Sequence, residues 1–540
     1  MSQQKEVRKS NIAAATAIQD IVRTSLGPRG MDKMVTSHDG RTTITNDGAT
    51  IMKELQVAHP AARMLVELSQ AQDIEAGDGT TSVVVMAGSL LKQSEKLIDL
   101  GIHPSKVSDA FQHAEAEAQK VLLGMSKPIP VFSGESIHTP VDFSGEIVDT
   151  APHFELIRAA ATSLSSKVVH PYSDLLSRIS VETVRRCVDP AKRDFVDLNF
   201  IKMVKRKGDS VDKTEIVDGL VLSGKPGDEC RISNAKIGLI RFCISPPKTD
   251  MDSSVVVSTA ADIDRMVREE YAYIRKICTA IIKAKCNVLL IQKSITRTAI
   301  DNQALGFFKK YNSKRVKAGK PGILVVSDIE RNEIEFISRT CGCTPVATIE
   351  EFTSEKLGSA DLAVRAKSGT VRITGCRPTT PAFTTSVLIR GPHADLLDEI
   401  ERSLHDAMCV IRCFVKMPFM LPGGGAAEVE LTRQLQKKSL DMTGIERYAM
   451  RAYADAFEVI PLTLAENAGL NAMATLAKIR SVHKEGGNSA GIEAKTGEIR
   501  DMFDEDLRVF QPLLVTSSAV KLATETVRTI LKISDIVLAK

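Results

Sequence analysis

The feature that most constrains the fold is an interrupted pattern, with helical periodicity at both ends of the chain and β-rich runs between them. In the first ~130 residues, apolar positions recur on one side of a helical wheel. They include Ala14, Ile18, Ile21, Val22, Leu65, Leu68 and Ala71. Long helical patterns return from about Leu396 onwards. A helical domain assembled from both ends of the chain, with a second domain inserted into it, accounts for this order.

The middle of the chain alternates strand and helix patterns. Short runs rich in β-forming residues lie at 200–204, 219–222, 237–242, 287–291, 322–326 and 387–390. The longest helical pattern between them has apolar positions from Ile263 to Ile281 with charges in between. Strands alternating with helices predict an α/β domain. With 540 residues, the chain is long enough for about three domains.

Two polar segments are predicted to be exposed loops. The first, 128–152, is rich in Ser, Gly, Pro and Thr. The second, 311–321, is basic and ends with Gly and Pro. A nucleic-acid contact remains an alternative for this basic segment, but a solvated surface loop is favoured.

Charge and cysteine content exclude several classes of protein. The 71 basic and 67 acidic residues give a net charge of +4 without a long basic stripe, so no nucleic-acid partner is expected. No apolar run approaches the length of a membrane span, and the polar start of the chain lacks a signal-peptide core, so no membrane association is expected. Ten scattered cysteines indicate buried free thiols in a reducing cytosol.

The segment Gly77-Asp78-Gly79-Thr80-Thr81-Ser82 precedes an apolar run that has the pattern of a helix. Glycines allow a phosphate to approach the backbone closely, and N–H groups at a helix N-terminus bind anions. Asp78 could hold a metal ion there. A simple helix cap is the alternative reading of the same residues.

Three more segments have the same ambiguity. Residues 24–30 form a Gly/Pro turn after a helix, 45–50 have the composition of a loop or hairpin tip, and 422–427 contain three consecutive glycines before a helix. Each can be read as a plain turn or linker. A close approach to a flat or charged ligand is the functional alternative.

Taken together, these segments resemble the group II chaperonins over essentially the whole chain. The resemblance rests on three segments, 23–34, 44–52 and 72–81. The finer segments 59–68, 247–252 and 403–413 resemble one subunit class of the eukaryotic cytosolic chaperonin CCT/TRiC.

The resemblance implies a site for ATP or ADP with Mg²⁺. Asp78 would bind the metal, and Asp406 would activate water, with Asp47 as a second acid. The nucleotide would be contacted by Gly27, Pro28, Gly79, Thr80, Thr81, Ser82, Ser165, Ser166, Lys167, Gly424, Gly425, Gly491 and Gln511. Many relatives have Asn or Thr at the place of Ser165, and Asp or Glu at the place of Gln511. From the residues alone, Asp406 could also be a surface acid beside an apolar stripe, and a structural role is favoured for His405.

The same resemblance implies an α+β fold of three domains. A mainly helical equatorial domain would comprise residues 1–140 and 405–540, and a small intermediate domain 141–200 and 370–404. The inserted α/β apical domain would comprise 201–369, with a lid-forming helical protrusion around 246–280. The expected function is ATP-driven folding of cytosolic proteins such as actin and tubulin inside a double ring of paralogous subunits. A subunit that binds substrate without hydrolysing ATP is the alternative. An ordinary ATP-dependent enzyme is disfavoured, because the middle domain has no evident acid/base pair.

Overall fold

The computed structural model describes residues 2–36, 40, 42–55, 57–132, 153–189, 195–224, 230–246, 259–294, 297–317, 322–367, 369–377 and 384–536. The chain forms two compact units. The first comprises Met1–Arg185, Pro190–Val196 and Gly391–Lys540, and the second comprises Arg186–Asp189 and Asp197–Arg390. The predicted α+β multidomain fold is confirmed. The boundaries of the three predicted domains stay a prediction.

The N-terminal part of the first unit is mainly helical. Its elements are α1 (Ser2–Arg23), β1 (Lys33–Thr36), β2 (Thr42–Thr45), α2 (Gly48–Glu54), α3 (Pro60–Glu75), α4 (Thr80–Asp99), α5 (Pro104–Met125), β3 (Lys127–Pro128), α6 (Phe154–Leu164) and α7 (Ser173–Cys187). Strands β1 and β2 pair antiparallel, with Met34 opposite Ile44. The sequence patterns did not predict this strand pair.

The second unit contains the predicted alternation of strands and helices. Its elements are β4 (Ile201–Lys207), β5 (Glu215–Val217), β6 (Gly219–Ser223), β7 (Cys230–Ile240), α8 (Ala260–Lys283), β8 (Val288–Gln292), α9 (Asn302–Lys317), β9 (Leu324–Ile329), α10 (Glu333–Cys341), β10 (Gly358–Arg365), β11 (Thr370–Cys376) and β12 (Thr385–Gly391). Six strands form a mixed sheet in the order β6-β11-β10-β7-β8-β9, and β4, β12 and β5 form a smaller one.

Strand β8 lies next to the edge strand β9 and is parallel to both of its neighbours, β7 and β9. Both of its faces are buried. Val288 and Leu290 pack into a cluster with residues of α10, whereas Leu289 and Ile291 pack into another with residues of α8 and α9. A parallel strand covered on both sides has a continuous apolar run instead of an alternating one. That is why residues 287–291 could be identified as a strand.

The long helix α8 has two different halves. Ile274, Ile277 and Ile281 are buried, whereas Ile263 and Val267 are 51% and 50% exposed. The predicted helix is confirmed, but only its C-terminal half belongs to the core of the second unit. Of the proposed protrusion, residues 247–258 lie outside the described part of the chain.

The C-terminal part of the first unit completes its helical core. Its elements are α11 (Ala394–Lys416), β13 (Phe419–Pro422), α12 (Ala426–Asp441), α13 (Ile445–Phe457), α14 (Val459–Asn467), α15 (Ala472–Lys484), β14 (Ala490–Ile492), β15 (Ile499–Asp501), β16 (Phe510–Pro512) and α16 (Leu513–Lys532). β16, β13 and β3 form a three-stranded sheet, and β14 pairs with β15.

Helix α4 lies at the centre of this unit. Every residue from Val83 to Leu91 is buried, as expected of a helix that is surrounded by others. It packs against α1, α3, α13 and α16, so both ends of the chain contribute to one core.

Two local predictions were wrong. On α1 the buried face contains Ile12, Ala15, Ile18 and Val22, whereas Ile21 is 41% exposed. The face is rotated toward Ala15 because α1 packs against both α3 and α4. The basic segment 311–321 was predicted to be a loop, but its first part is helical, because α9 continues to Lys317. Residues 318–321 lie outside the described part of the chain. Residues 133–152 of the other predicted loop also lie outside it.

All ten cysteines are free thiols, and seven of them are buried. Cys230, Cys243 and Cys376 are partly exposed. Among the described residues, no helix is both long and apolar enough to cross a membrane.

Candidate functional site

The start of α4 exposes backbone N–H groups beside a buried carboxylate. Gly77 and Gly79 have φ angles of +71° and +75°, which favour glycine. A Cβ on Gly77 would lie 2.4 Å from the side chain of Cys409. The N–H of Gly79 donates to Asp78 Oδ1 over 2.7 Å, and α4 begins at Thr80 without a side-chain cap. The first turn of α4 is therefore a potential anion site.

Asp47 is the N-cap of α2 and also contacts the start of α4. Its carboxylate accepts hydrogen bonds from the backbone N–H groups of Ala49 and Thr50 and from the Thr50 hydroxyl. The Thr80 hydroxyl donates to Asp47 Oδ1 over 3.2 Å. The prediction of a loop or hairpin tip at 45–50 was therefore wrong, because only Asn46 and Asp47 separate strand β2 from helix α2. The seven-residue helix is too short to give a clear periodic signal.

Lys167 and Asp406 form a buried ion pair between two separate segments. Lys167 lies in the turn after α6, Asp406 lies on α11, and their side chains are 8% and 14% exposed. The turn is held by the side-chain amide of Asn46, which donates to the Ser166 carbonyl over 2.7 Å. Asp406 is thus not a simple surface acid. His405 is 46% exposed and does not line the cavity described below.

Three carboxylates surround this single ammonium group. Burial raises the pKa of Asp78, and the charge of Asp406 raises it further. Burial would also raise the pKa of Asp47, but Lys167 and the hydrogen bonds from Thr50 and Ala49 outweigh it, so that pKa is lowered. Burial lowers the pKa of Lys167, yet the charges of Asp406 and Asp47 dominate and raise it. Three carboxylates and one ammonium leave two excess negative charges when all four groups are ionised.

The turn at Gly27 and Pro28 follows α1 and packs against α14. Gly27 has a φ of +85°, and a Cβ there would lie 2.4 Å from Leu464. The side-chain amide of Asn467 donates to the carbonyls of Arg23 and Leu26. Tertiary contacts therefore fix this turn, which a plain connecting turn would not require.

The glycine loop 423–425 lies between β13 and α12 and is not a flexible linker. Gly424 and Gly425 have φ angles of +63° and +78°. The N–H of Ile492 donates to the Gly424 carbonyl over 2.9 Å. A Cβ on Gly491 would lie 2.8 Å from the Gly423 carbonyl oxygen. Gly491 thus packs against the backbone of this loop, where a side chain would not fit.

Gln511 lies on β16, opposite Leu421 of β13. Its amide nitrogen donates to the Thr516 hydroxyl over 2.9 Å. Close by is Glu428, a buried acid in the first turn of α12. Burial raises the pKa of Glu428, against a smaller opposing effect of a hydrogen bond with Gln511.

These segments enclose one cavity of about 580 Å³, a volume typical of small-molecule sites. Of the predicted site residues, all line it except Gly491; they are Gly27, Pro28, Asp47, Asp78, Gly79, Thr80, Thr81, Ser82, Ser165, Ser166, Lys167, Asp406, Gly424, Gly425 and Gln511. Sequence reasoning missed the charged lining residues Arg158, Asp174, Glu428, Glu493, Lys495, Asp506 and Arg508. Of these, Glu428 follows the glycine run closely, but the sequence does not distinguish it from an ordinary acid at the start of a helix.

The residues present fit a divalent cation that is bound together with a phosphate. Burial, and then the charge of Asp406, raise the pKa of Asp78, and three carboxylates share one ammonium group, so a bound cation would stabilise the ionised carboxylates. Among the described residues, no group of three or more His, Cys, Asp or Glu side chains could hold a metal on its own. Mg²⁺ typically uses one or two carboxylates plus water and phosphate oxygens, so Asp78 and the cavity suit that mode.

Comparisons with known proteins identify the family of the chain. The model of the TCP-1/cpn60 chaperonin family matches residues 18–540. The chain is 49% identical over 538 residues to T-complex protein 1 subunit delta of Homo sapiens, covering 98% of this chain and 94% of the human one. It is 50% identical to the protein of that name from Takifugu rubripes, covering 99% and 95% of the two chains. The corresponding values for Caenorhabditis elegans are 47% identity and coverage of 99% and 94%.

The predicted resemblance to one subunit class is confirmed, and that class is delta. Membership of this family implies nucleotide binding, in keeping with the cavity. A match across almost the whole length cannot arise from one shared motif. The chain belongs to the TCP-1/cpn60 chaperonin family.

Proposed function

We propose that the chain is an ATP-hydrolysing subunit of a hetero-oligomeric double-ring chaperonin, in which ATP turnover drives lid closure and the folding of enclosed cytosolic proteins. The observation that carries this proposal is the convergence of Asp47, Asp78, Lys167 and Asp406 on one cavity bordered by two helix N-termini. Actin and tubulin are proposed as clients through the family resemblance.

Polyphosphate binding is supported by the two helices that begin at the cavity. The residues preceding α4 and α12 are Gly79 and Gly425, both with left-handed backbone and neither with a side-chain cap. The backbone N–H groups of the first helical turns and the helix dipoles favour a negatively charged ligand. Thr80, Thr81 and Ser82 add hydroxyl donors on the α4 side. We assign this side to the β- and γ-phosphates and the glycine-loop side to the nucleoside.

Asp78 is the proposed Mg²⁺ ligand, with Asp47 close to the same metal shell. When bound, Mg²⁺ would neutralise charge that develops on the transferring phosphoryl group. The backbone N–H of Gly79 holds the Asp78 carboxylate in place at 2.7 Å. Asp47 is held by its hydrogen bonds to α2 and to Thr80.

Asp406 is the proposed general base for the attacking water, and Lys167 controls its availability. In the ion pair, the ammonium group of Lys167 occupies the Asp406 carboxylate, which is then not available to a water molecule. The γ-phosphate carries more negative charge than one carboxylate and competes for Lys167. ATP binding would thus release Asp406 for catalysis.

The domain assignment stays part of the proposal. Residues 1–140 and 405–540 would form the equatorial domain, 141–200 and 370–404 the intermediate domain, and 201–369 the apical domain. The exposed apolar N-terminal half of α8, with Ile263 and Val267, supports a protrusion in the region 246–280. A helix half that buries none of its apolar residues needs a partner in the assembled protein.

The partners and the location are proposed from the relatives. These are named as subunits of a T-complex protein, so we propose paralogous subunits as ring neighbours and non-native proteins as clients. The cytosol is the proposed location. The ten free thiols fit a reducing compartment.

A subunit that binds substrate without hydrolysing ATP is the second candidate. It is less well supported, because such a subunit has no need to retain Asp78, Asp406 and Lys167 around one cavity. The two candidates differ in whether the γ-phosphate is lost at this subunit's own site.

The test is the variant Asp406→Ala in the assembled complex. Photoreactive 8-azido-ATP, labelled at either the α- or the γ-phosphate, is incubated with the complex and then cross-linked. The ratio of γ- to α-label on this subunit measures hydrolysis at its own site, whatever the neighbouring subunits do. We expect a rate of γ-label loss that is at least ~100-fold lower, since general bases contribute about that much, with unchanged α-labelling.

The control is Asp395→Ala, an exposed acid on the same helix that does not line the cavity. It should lose the γ-label at the wild-type rate. Equal loss of γ-label in Asp406→Ala and wild type would refute the role of Asp406. Retention of the γ-label in the wild type would favour the non-hydrolysing subunit.

A further inference from the structure

Two thiols that play no part in the nucleotide site face each other in the second unit. Cys341 is the last residue of α10 and Cys376 is the last residue of β11. Their sulfur atoms lie 3.8 Å apart, within hydrogen-bonding distance for sulfur. The two residues are 35 positions apart in the chain, so the tertiary fold brings them together.

The surroundings of the two thiols differ. Cys341 is fully buried, whereas Cys376 is partly exposed at the end of its strand. Gly375, with a φ of +67°, directly precedes Cys376 and interrupts the regular β11 backbone. A reagent from solvent can therefore reach Cys376 before it reaches Cys341.

The contact between the two sulfur atoms shifts the pKa values of the two thiols in opposite directions. The hydrogen bond from Cys341 lowers the pKa of Cys376, against burial and the nearby charge of Asp361. The same bond raises the pKa of Cys341, and burial raises it further. Either sulfur can donate in the contact between them. The lowered pKa favours Cys376 as the thiolate, which is the reactive form of cysteine.

We infer that Cys341 and Cys376 form an oxidisable dithiol, in which Cys376 is the attacking thiol and Cys341 is the resolving thiol. The oxidant is a peroxide. The product is a disulfide that joins the C-terminus of α10 to the end of β11.

The chemistry proceeds in two balanced steps. The Cys376 thiolate attacks one oxygen of hydrogen peroxide, the O–O bond breaks, and the products are Cys376 sulfenic acid and hydroxide, which takes up a proton to become water. The Cys341 sulfur then attacks the sulfenic sulfur, the S–O bond breaks, and the departing hydroxide combines with the Cys341 proton as a second water. The two thiols lose two electrons, which the peroxide accepts.

Cys343 is the nearest competing thiol, but its geometry is unfavourable. Its sulfur lies 3.9 Å from the Ile337 carbonyl oxygen, and the residue is 2% exposed. Burial raises its pKa to about 12. It is therefore neither directed at Cys376 nor ionised at neutral pH.

The test is peptide mapping of the full-length protein after treatment with stoichiometric hydrogen peroxide. Trypsin releases Cys341 within Thr340–Lys356 and Cys376 within Ile373–Arg390, because the Arg377–Pro378 bond resists cleavage. We expect these two peptides to be joined under non-reducing conditions and to separate after reduction. Before oxidation, iodoacetamide should modify Cys376 at least ten times faster than the buried Cys278.

Three variants assign the link. Because Thr340–Lys356 also contains Cys343, Cys343→Ser should retain the joined peptides and Cys376→Ser should lose them. Cys278→Ser is the matched control and should behave like wild type. Loss of the link in Cys343→Ser would overturn the assignment of Cys341. Oxidation of Cys376 to sulfinic or sulfonic acid without any joined peptide would overturn the dithiol itself.

Discussion

The Thr80 hydroxyl donates to Asp47 Oδ1 over 3.2 Å and joins the first turn of α4 to the N-cap of α2. Asp47 therefore has two roles that mutation can separate. It caps a helix through its oxygen atoms, and it contributes negative charge to the cavity.

Asp47→Asn and Asp47→Ala separate these roles. Asn is also a good N-cap, so Asp47→Asn should preserve stability, whereas Asp47→Ala should cost about 1 kcal/mol. Both variants should lower ATP turnover by about 10-fold or more, because each removes the charge next to the proposed metal. Thermal unfolding and ATPase assays measure the two effects. Full activity of Asp47→Asn would restrict Asp47 to capping.

Lys167 and Asp406 should be energetically coupled. Lys167→Ala leaves the buried Asp406 carboxylate without its ion-pair partner, which typically costs about 3–5 kcal/mol, whereas Asp406→Ala leaves Lys167 beside Asp47 and Asp78. In a double-mutant cycle followed by urea unfolding, Lys167→Ala and Asp406→Ala together should destabilise by clearly less than the sum. The half-exposed pair Lys293 and Glu330 serves as the control, with side chains 54% and 56% exposed. It should show no measurable coupling, and similar coupling in both pairs would contradict burial as the cause.

Alanine at two glycines should have opposite effects. Gly424 has a φ of +63°, and a Cβ would lie 2.9 Å from the Ile492 carbonyl oxygen. Gly424→Ala should therefore destabilise by at least about 1–2 kcal/mol and weaken nucleotide binding. Gly306 lies within α9, and a Cβ there would meet no atom within 4 Å. Gly306→Ala should stabilise by about 0.5–1 kcal/mol. Calorimetry and nucleotide titration test both, and equal effects would refute the backbone argument.

The buried pair Glu430 and His483 should make stability depend on acid pH. Burial opposes ionisation of Glu430, but hydrogen bonds from His483, Arg433 and Gln434 outweigh it and lower its pKa to about 2 from 4.5. A depressed carboxylate pKa stabilises the fold above the unfolded-state value, and this stabilisation is lost as the pH falls from about 4.5 to about 2. Arg433 is 40% exposed, so screening limits the contribution to the order of 2 kcal/mol.

Glu430→Gln should therefore be less stable than wild type at pH 7, and the difference should shrink as the pH falls below about 4.5. The exposed Glu485→Gln is the control and should follow wild type at every pH. Urea unfolding at a series of pH values provides the measurement. A constant difference between wild type and Glu430→Gln down to pH 3 would disprove ionisation as the source.

The start of α4 could be predicted because its signals agree. Gly79 provides the left-handed backbone that ends the preceding turn, and the apolar run after Ser82 is long enough to define a core helix. The run at β8 was equally clear, since a strand buried on both faces has no polar interruptions. Most of the predicted cavity residues could be named only through the family resemblance, since their segments are far apart in sequence.

Other features could not be predicted, for identifiable reasons. The strands β3, β14, β15 and β16 have two or three residues each, too few for a periodic pattern. Glu428 resembles an ordinary acid in the first turn of a helix, where the dipole favours it. Its burial becomes evident only when Gln511 is placed beside it. Ile21 was misplaced because periodicity defines the apolar side of α1 only to within about one residue.

The cavity draws its lining from Ser25 through Pro512, which has a consequence for biosynthesis. A ribosome makes the chain from the N-terminus, and domains fold as their residues emerge. The second unit, which ends at Arg390, can fold while translation continues. The cavity cannot close until β16 has emerged to pair with β13. Until then, the apolar surfaces of α1 and α4 stay exposed, because the C-terminal helices that cover them have not been synthesised. The nascent chain itself therefore needs protection from aggregation.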